Sequence, residues 1–383
     1  MARDLSRREL LGGLVSAAAV GVALPARAGA ASAPAATTAA LDDAVARSGN
    51  VIRLGANENP TGLGPAARAA FTAAIDEANR YPGRVYQTLM EALTAKHQVG
   101  ASSIYLTPGS GELLRSATLA FTGPSRALVT AAPTFEAPTR TAFATGAEVR
   151  AVPVTAEGRL DLEAMLAKAP GAGLIYVCNP NNPTGGTVTG AALTAFVARL
   201  KTVAPEARVL VDEAYFEYAD EPGYATLIPL AVSDPRVIVT RTFSKVFGMA
   251  GLRVGYAVGQ PSTLGDLDAH GIDGTMSSAS LAAAAAAFTD SDHIAAERAR
   301  NQAVRRFTRE KFEAAGYRVL PSAANFVMID IQRDAGSFGW QCRQQRIAVS
   351  RPFPPLTNYL RLTIGTQAEM DEAVPVILGL LKA

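Results

Sequence analysis

The sequence predicts an α/β fold with a large domain, built on a mostly parallel sheet flanked by helices, and a smaller α+β C-terminal domain. The length of 383 residues suits two domains. From about residue 100, short runs rich in Val, Ile and Leu alternate with amphipathic or alanine-rich stretches. This alternation is typical of parallel strands covered by helices on both faces. From about residue 290 the pattern changes to one long helix and shorter strands.

The predicted elements follow this order along the chain. The large domain is expected over residues 51–286, with a helix at Ala191–Val203, and the small domain over residues 287–383, opening with a helix at Asp292–Ala315. The strands predicted for the large domain are Ile104–Thr107, Ala127–Thr130, Leu174–Cys178, Val209–Val211, Val237–Thr240 and Arg253–Val258. Those predicted for the small domain are Arg318–Leu320, Asn325–Ile329, Ile347–Ser350 and Tyr359–Leu362.

Composition and charge narrow the class of protein. Hydrophobic residues make up 49% and charged residues 18% of the chain, which is typical of a globular protein. Four arginines against two acidic residues in the first 28 positions account for the whole net charge of +2, so the rest offers no electrostatic footprint for nucleic acid. No residues have metal-ligand spacing. Cys178 and Cys342 could pair in an oxidising compartment, but free, buried thiols are favoured because a large hydrophobic core needs no disulfide to stabilise it.

The first 28 residues are predicted to be a signal peptide. An arginine pair, Arg7 and Arg8, precedes an apolar run at Leu10–Leu24, which is shorter than the about 20 residues that a spanning helix needs. A small-residue cleavage pattern follows at Ala26–Ala28. The arginine pair resembles a bacterial twin-arginine export signal, although an ordinary secretory signal or an uncleaved anchor helix stays open. We therefore expect export through the twin-arginine machinery, most simply to the periplasm, with residues 29–50 as a linker and N-terminal segment.

Polar residues follow several predicted strands and are expected at one edge of the sheet. Asn182, Asp212, Tyr215, Lys245 and Arg253 all occur in such positions. Singly, these residues have ordinary interpretations as turn formers, helix caps or solvated side chains. Ligands of such sheets bind where the strands end, so residues of this kind in this order indicate one common ligand.

Three motifs resemble those of the fold type I aminotransferases that use pyridoxal 5'-phosphate (PLP), and within them the histidinol-phosphate aminotransferase branch. The motifs are Asn-Pro-Asn-Asn-Pro-Thr-Gly at 179–185, Val-Asp-Glu-Ala-Tyr at 211–215, and Ser-Lys-Val-Phe-Gly-Met-Ala-Gly-Leu-Arg-Val-Gly-Tyr at 244–256. The resemblance runs from about Asn57 to Thr366. It implies the PLP-dependent transferase fold, PLP as cofactor, and transfer of an amino group between an amino acid, or related amine, and a 2-oxo acid.

The resemblance also implies roles for individual residues. Lys245 would hold PLP as a Schiff base and, once released, carry a proton as general base and acid. Asp212 would pair with the ring nitrogen, because an opposite charge keeps that nitrogen protonated. Asn182 and Tyr215 would hydrogen-bond the phenolic oxygen of the ring. From these roles, the expected catalytic residues are Lys245, Asp212 and Tyr215.

The expected phosphate cradle lies at the start of a helix, where free N–H groups and the helix dipole favour an anion. A further aromatic residue would stack on the ring, although core packing alone would also explain an aromatic there. A tyrosine would reach the PLP phosphate of a neighbouring subunit, so a homodimer is expected. The cofactor contacts implied in this way are Ser110, Gly111, Glu112, Thr242, Ser244 and Arg253 around the phosphate, Phe135 on the ring and Tyr81 from the neighbour.

Substrate contacts are expected from Arg361 and Asn57. Arg361 matches the arginine that clamps a substrate anion in the family, and a guanidinium fork suits a carboxylate. Arg351 is a second candidate for that anion or for a distal acidic group, and a solvated loop arginine is the alternative interpretation. The sequence departs from the family at Thr61, where a tyrosine is usual, and at Gly111, where an aspartate is usual. Because the first change lies on the substrate side, we expect an amino acid with a free α-carboxylate and not histidinol phosphate.

Two other functions are compatible with these residues. One is a PLP-dependent lyase or decarboxylase, because a fold does not fix the reaction. The other is a non-enzymatic PLP-binding regulator, which fits less well because the catalytic groups are present and no DNA-binding segment is attached.

Overall fold

The computed structural model describes residues 51–272 and 276–383. A seven-stranded sheet forms the centre of its large α/β part. The predicted signal peptide and linker, residues 1–50, lie outside the described residues. The strands are β1 (Ile52–Leu54), β2 (Ile104–Thr107), β3 (Ala127–Ala132), β4 (Val149–Pro153), β5 (Ala172–Cys178), β6 (Arg208–Asp212), β7 (Val237–Thr242), β8 (Gly255–Val258), β9 (Arg318–Val319), β10 (Phe326–Asp330), β11 (Ile347–Val349) and β12 (Tyr359–Thr363).

Helices separate most of these strands. The longest of them, Ser291–Ala314, begins where Asp290 accepts a hydrogen bond from the backbone N–H of His293, which caps the helix. The helices are α1 (Pro65–Ala73), α2 (Gly83–His97), α3 (Ser110–Phe121), α4 (Ala137–Ala144), α5 (Leu162–Ala167), α6 (Gly190–Val203), α7 (Ile228–Ser233), α8 (Pro261–Asp268), α9 (Ser278–Thr289), α10 (Ser291–Ala314), α11 (Ala335–Gln344) and α12 (Gln367–Lys382).

The large sheet has the order β2-β8-β7-β6-β5-β3-β4 and is mostly parallel, which confirms the predicted fold class. Strand β8 alone runs antiparallel, against both β2 and β7. Reversal of this one strand brings its first residues to the edge where β2, β5, β6 and β7 end. The predicted strand Arg253–Val258 is therefore shorter than expected: it starts at Gly255, because Arg253 has a left-handed backbone with a φ of 54°.

Alternating side chains bury both faces of this sheet. One face packs on α3, α4 and α8, and the other packs on α2, α5, α6, α7 and α9. In β5, for example, Ile175 and Val177 face one side whereas Leu174, Tyr176 and Cys178 face the other. This period of two follows from the strand geometry, and burial on both faces explains the apolar runs.

The C-terminal part carries its own small sheets and core. Strands β12, β10 and β9 form an antiparallel sheet, and β1 pairs in parallel with β11. Helices α10, α11 and α12 pack against them around residues such as Phe312, Phe338 and Ile377. The predicted boundary at 286/287 falls within α9, and the division into domains 51–286 and 287–383 stays a prediction. Among the described residues, no helix has the length and apolar character needed to cross a membrane.

Candidate active site

A cavity of about 280 Å³ lies at the edge of the large sheet where the parallel strands end. Residues from the segment after β1 (residues 56–60, the entrance segment), from the strand ends and from β12 surround it. Its lining consists of Ala56, Asn57, Ser110, Gly111, Phe135, Cys178, Asn182, Asp212, Ala214, Tyr215, Thr242, Ser244, Lys245, Ala250, Arg253 and Arg361.

One end of the cavity is built to receive an anion. Helix α3 begins at Ser110 after Gly109, and no side chain caps it, so the first N–H groups are available to a ligand. The guanidinium of Arg253 packs over Gly109, where an added Cβ would lie 2.3 Å from its Nη2. The Oγ of Ser244 lies 3.4 Å from Nη1 of Arg253 and also accepts a 2.9 Å hydrogen bond from the hydroxyl of Thr242. A helix start, a cation and two hydroxyls together fit a phosphate group.

Lys245 lies in the turn after β7, with its ammonium group inside the cavity. Its Nζ donates a 3.1 Å hydrogen bond to the backbone oxygen of Asn57. Burial, followed by the nearby charge of Arg361, lowers the pKa of Lys245 to about 8. An amine with this pKa is partly unprotonated near neutral pH, which is the form that attacks a carbonyl carbon.

Asp212 is the last residue of β6 and is buried, with 3% of its surface exposed. Its Oδ2 accepts a 2.8 Å hydrogen bond from the Tyr176 hydroxyl, and its Oδ1 accepts one of 3.2 Å from the backbone N–H of Ala214. Burial raises the pKa of Asp212 to about 6, although the hydrogen bond from Tyr176 opposes the rise. A buried carboxylate of this kind calls for a cationic partner in the cavity.

Tyr215 and Asn57 form a second polar pair beside Lys245. The Tyr215 hydroxyl accepts a 3.0 Å hydrogen bond from Nδ2 of Asn57, and burial raises its pKa. Asn57 has a φ of 55°, and its side chain and amide both bond Thr363 of β12. Asn57 therefore ties the entrance segment to β12 and places two polar groups beside the lysine.

Arg361, on β12, brings a buried cation to the cavity. Its Nη1 donates a 2.7 Å hydrogen bond to Oδ1 of Asn182, and its Nη2 donates one to the backbone oxygen of Gly55. The guanidinium carbon lies 4.6 Å from the ring centre of Phe353 and 5.5 Å from that of Phe326. Burial lowers the pKa of Arg361 to about 10, and its Nε has no hydrogen-bond partner. This cation is held in place with donor capacity to spare.

Most of the predicted site residues thus meet in one cavity. Three do not line it. The Glu112 carboxylate accepts a hydrogen bond from the backbone N–H of Ile272 and pairs with Arg115, and the contact expected from the helix start at Glu112 stays a prediction. Tyr81 is 89% exposed in its own chain, and Arg351 lies outside the cavity, paired with Glu136 at 2.8 Å.

The sequence reasoning did not find four cavity residues. Cys178 is the last residue of β5 and directly precedes the Asn-Pro motif. Its position at a strand end was the signal that could have placed it at the cavity, and its side chain lies on the same sheet face as that of Tyr176. Both Cys178 and Cys342 are unpaired and buried. The other three cavity residues, Ala56, Ala214 and Ala250, are alanines whose sequence context carries no chemical signal.

The residues present fit PLP. The uncapped start of α3 with Arg253 suits its phosphate, Lys245 suits its aldehyde, and Asp212 is a buried carboxylate without a cation bonded to it. The cavity thereby offers one group of the right chemistry for each polar end of the cofactor.

Comparisons with known proteins agree with this fit. The sequence profile of aminotransferase class I and II matches residues 49–377. The histidinol-phosphate aminotransferase of Moorella thermoacetica is 36% identical over 335 residues, which cover 87% of this chain and 86% of that relative. Histidinol-phosphate aminotransferase 2 of Pseudomonas aeruginosa is 35% identical over 324 residues, covering 84% of this chain and 86% of that protein.

A solved structure shows the same likeness in three dimensions. It is that of histidinol-phosphate aminotransferase from Sinorhizobium meliloti in complex with pyridoxal-5'-phosphate. It superposes with a TM-score of 0.81 at 27% identity, and the match covers 89% of this chain and 94% of that chain.

Proposed function

Since the chain belongs to the class I and II aminotransferase family, we propose that its amino donor is a free α-amino acid whose carboxylate is bound by Arg361. The protein is a PLP-dependent aminotransferase that transfers an amino group between an amino compound and a 2-oxo acid. Family membership leaves the amino donor open. The position of Arg361, a buried cation that lines the cavity and whose two terminal nitrogens each donate one hydrogen bond to the protein, is the observation that carries the proposal.

Each polar residue of the cavity has a chemical task in this reaction. Bound PLP supplies an electron sink for the electron pair left when a proton leaves the substrate α-carbon. Lys245 holds that proton on Nζ and returns it to a different atom, for which its pKa of about 8 is well placed. Asp212 would stabilise a positive charge on the ring nitrogen, and Tyr215 and Asn182 would donate hydrogen bonds to the phenolic oxygen.

The cations of the cavity limit the anions that a substrate can carry. Lys245, Arg253 and Arg361 are the cations among the described residues that line it. Arg253 belongs to the phosphate cradle and Lys245 to the aldehyde, so Arg361 remains for the substrate. The planar guanidinium already bonds Asn182 and Gly55, and its fork of donors suits the two oxygens of a planar carboxylate.

Thr61 supports the same choice. Its hydroxyl contacts Oδ1 of Asn59 at 2.7 Å and Oε2 of Glu297 at 3.1 Å, and Thr61 does not line the cavity. The tyrosine that is usual at this position in the family is thus replaced by a side chain engaged elsewhere. Thr61 therefore brings no hydroxyl donor to the cavity.

Histidinol phosphate is the second candidate donor, because relatives at 35–36% identity carry that name. The deciding measurement is kcat/KM for histidinol phosphate beside a panel of free α-amino acids, with one 2-oxo acid as acceptor. We expect an amino acid to have the larger kcat/KM. A large preference for histidinol phosphate would refute the proposed donor and leave the aminotransferase assignment intact.

We propose that the active enzyme is a homodimer in which Tyr81 completes the site of the partner subunit. The 89% exposure of this tyrosine, outside the cavity of its own chain, supports the proposal, because a large exposed aromatic is common at interfaces. Mixing Lys245→Ala and Tyr81→Ala subunits tests it. If Tyr81 acts across the interface, mixed dimers have one intact site and activity returns to about a quarter of the wild-type value, given random pairing in a symmetric dimer. Failure of the mixture to regain activity would place Tyr81 outside the partner's site.

We propose further that the protein is exported through the twin-arginine pathway to the periplasm. The sequence pattern of residues 1–28 supports this proposal, which rests on no contact in the described residues. Replacing Arg7 and Arg8 by lysine keeps the charge and should trap the precursor, because the pair is read by a receptor. Unchanged export of the double-lysine precursor, measured by cell fractionation, would refute the pathway.

A further inference from the structure

Tyr176 carries a buried hydroxyl that has no role in the reaction as described above. The residue lies in β5, with 1% of its surface exposed, and does not line the cavity. Its hydroxyl donates a 2.8 Å hydrogen bond to Oδ2 of Asp212. A tyrosine in an apolar core cluster is usually explained by packing, but a hydroxyl aimed at a functional carboxylate needs a further reason.

The strand register fixes this contact. Cys178 of β5 lies opposite Asp212 of β6, and Tyr176 lies opposite Leu210. Side chains two residues apart on a strand share a face, so Tyr176 is a diagonal neighbour of Asp212. Both strands are central in the sheet and Leu174 packs in the same cluster, so the tyrosine has little room to turn away.

Among the hydrogen bonds that Asp212 accepts, the one from Tyr176 is the shortest. The contacts to Oδ1, from the Ala214 amide at 3.2 Å and from Oγ1 of Thr240 at 3.5 Å, are longer. A carboxylate has about four acceptor positions, so these contacts leave room for a ring nitrogen. Burial raises the pKa of Asp212 to about 6, and the Tyr176 hydrogen bond is the largest influence that lowers it.

We propose that Tyr176 is a positioning residue whose hydroxyl fixes the orientation of the Asp212 carboxylate and stabilises its negative charge. Tyr176 contacts Asp212 but does not line the cavity, so it acts on the cofactor only through Asp212. The inference therefore rests on the proposed pairing of Asp212 with the ring nitrogen. Without the Tyr176 hydroxyl, Asp212 would be protonated more readily, and a protonated Asp212 could not form that ion pair. Loss of the hydroxyl would therefore weaken binding of the PLP ring nitrogen but not of its phosphate or aldehyde.

The test compares two ligands on the apoenzyme of Tyr176→Phe. One ligand is PLP, and the other is an analogue that keeps the aldehyde and phosphate but has C–H in place of the ring nitrogen. We expect the Kd of PLP to rise about tenfold, in line with a lost hydrogen bond to a charged group, and the Kd of the analogue to stay unchanged. The matched control is Tyr256→Phe, which removes an equally buried hydroxyl that bonds Nε2 of His97 at 2.9 Å, away from the cavity. This control should change neither Kd.

A second variant keeps the test independent of any effect on folding. Placing 3-fluorotyrosine at position 176 preserves the ring and makes the hydroxyl a stronger donor. The ratio of analogue Kd to PLP Kd should then rise above the wild-type value, whereas it falls in Tyr176→Phe. Equal weakening of both ligands in Tyr176→Phe, or no shift of the ratio in either variant, would overturn the inference.

Asp212→Ala separates this inference from the role of Asp212 itself. If Asp212→Ala leaves the ratio of the two Kd values unchanged, the pairing of Asp212 with the ring nitrogen is wrong, and Tyr176 falls with it. If Asp212→Ala lowers the ratio and Tyr176→Phe does not, only the role of Tyr176 is refuted. In the double variant, the Tyr176 change should have no further effect, because both act on the same contact.

Discussion

Arg361→Lys should lower kcat/KM for the amino donor by about 30- to 150-fold, or roughly 2–3 kcal/mol, because a point charge replaces a fork of donors. The guanidinium uses Nη1 on Asn182 and Nη2 on Gly55 while its plane packs near Phe326 and Phe353. A lysine at this position keeps the positive charge but reaches fewer acceptors. The substrate carboxylate would therefore lose at least one charge-assisted hydrogen bond and its fixed orientation.

The assay is steady-state kcat/KM for several α-amino acids with one 2-oxo acid acceptor. Arg351→Lys is the matched control, since Arg351 contacts the same Phe353 ring as Arg361 but has a side chain that is 49% exposed and paired with Glu136. Exposed pairs contribute about 0–1 kcal/mol, so this variant should lose less than about fivefold. A loss under threefold in Arg361→Lys, together with a large loss in Arg351→Lys, would refute the assignment of the carboxylate to Arg361.

The remaining predictions concern the cofactor. Lys245→Ala should abolish turnover but still bind PLP weakly by equilibrium titration, because the phosphate and ring contacts remain; full activity would remove Lys245 from the mechanism. Asp212→Ala should lower kcat by about 10²–10³-fold, as the loss of one charge-stabilising group does elsewhere, with a smaller change in PLP affinity, and near-normal kcat would mean that another group protonates the ring. Uptake of PLP by the apoenzyme should accelerate with pH and level off above about 8, because burial and Arg361 lower the pKa of Lys245 to that value and only the unprotonated amine reacts. A stopped-flow profile that is flat from pH 6 to about 9 would contradict this pKa.

The buried strands of the large sheet could be predicted because burial on both faces leaves near-continuous apolar runs. Strand β2 has the predicted limits, and β7 starts at the predicted Val237 and extends two residues further. Strand β4 was missed, because only one residue of this edge strand is buried and its sequence, Val-Arg-Ala-Val-Pro, lacks an apolar run. Strand β1 has only three residues, too few for a pattern.

The polar groups of the cavity could be predicted as a set but their mutual contacts could not. Asp212 and Lys245 stand at strand ends, where topology brings them together. The contact between Arg361 and Asn182 joins residues 179 positions apart, and no local pattern encodes it. Tyr176 was missed for a related reason, since an aromatic residue inside an apolar strand is indistinguishable from core until the partner of its hydroxyl is known.

The most direct test of the central claim is a single half-reaction of the purified enzyme loaded with PLP. The enzyme is mixed with an excess of an accepted amino acid and no 2-oxo acid, and the products are quantified against the number of active sites. An aminotransferase built on Lys245 should release 2-oxo acid in an amount stoichiometric with the sites and then stop, with the amino group retained on the bound cofactor. Continued release of carbon dioxide, ammonia or another fragment beyond that amount would contradict transamination and indicate a lyase or decarboxylase.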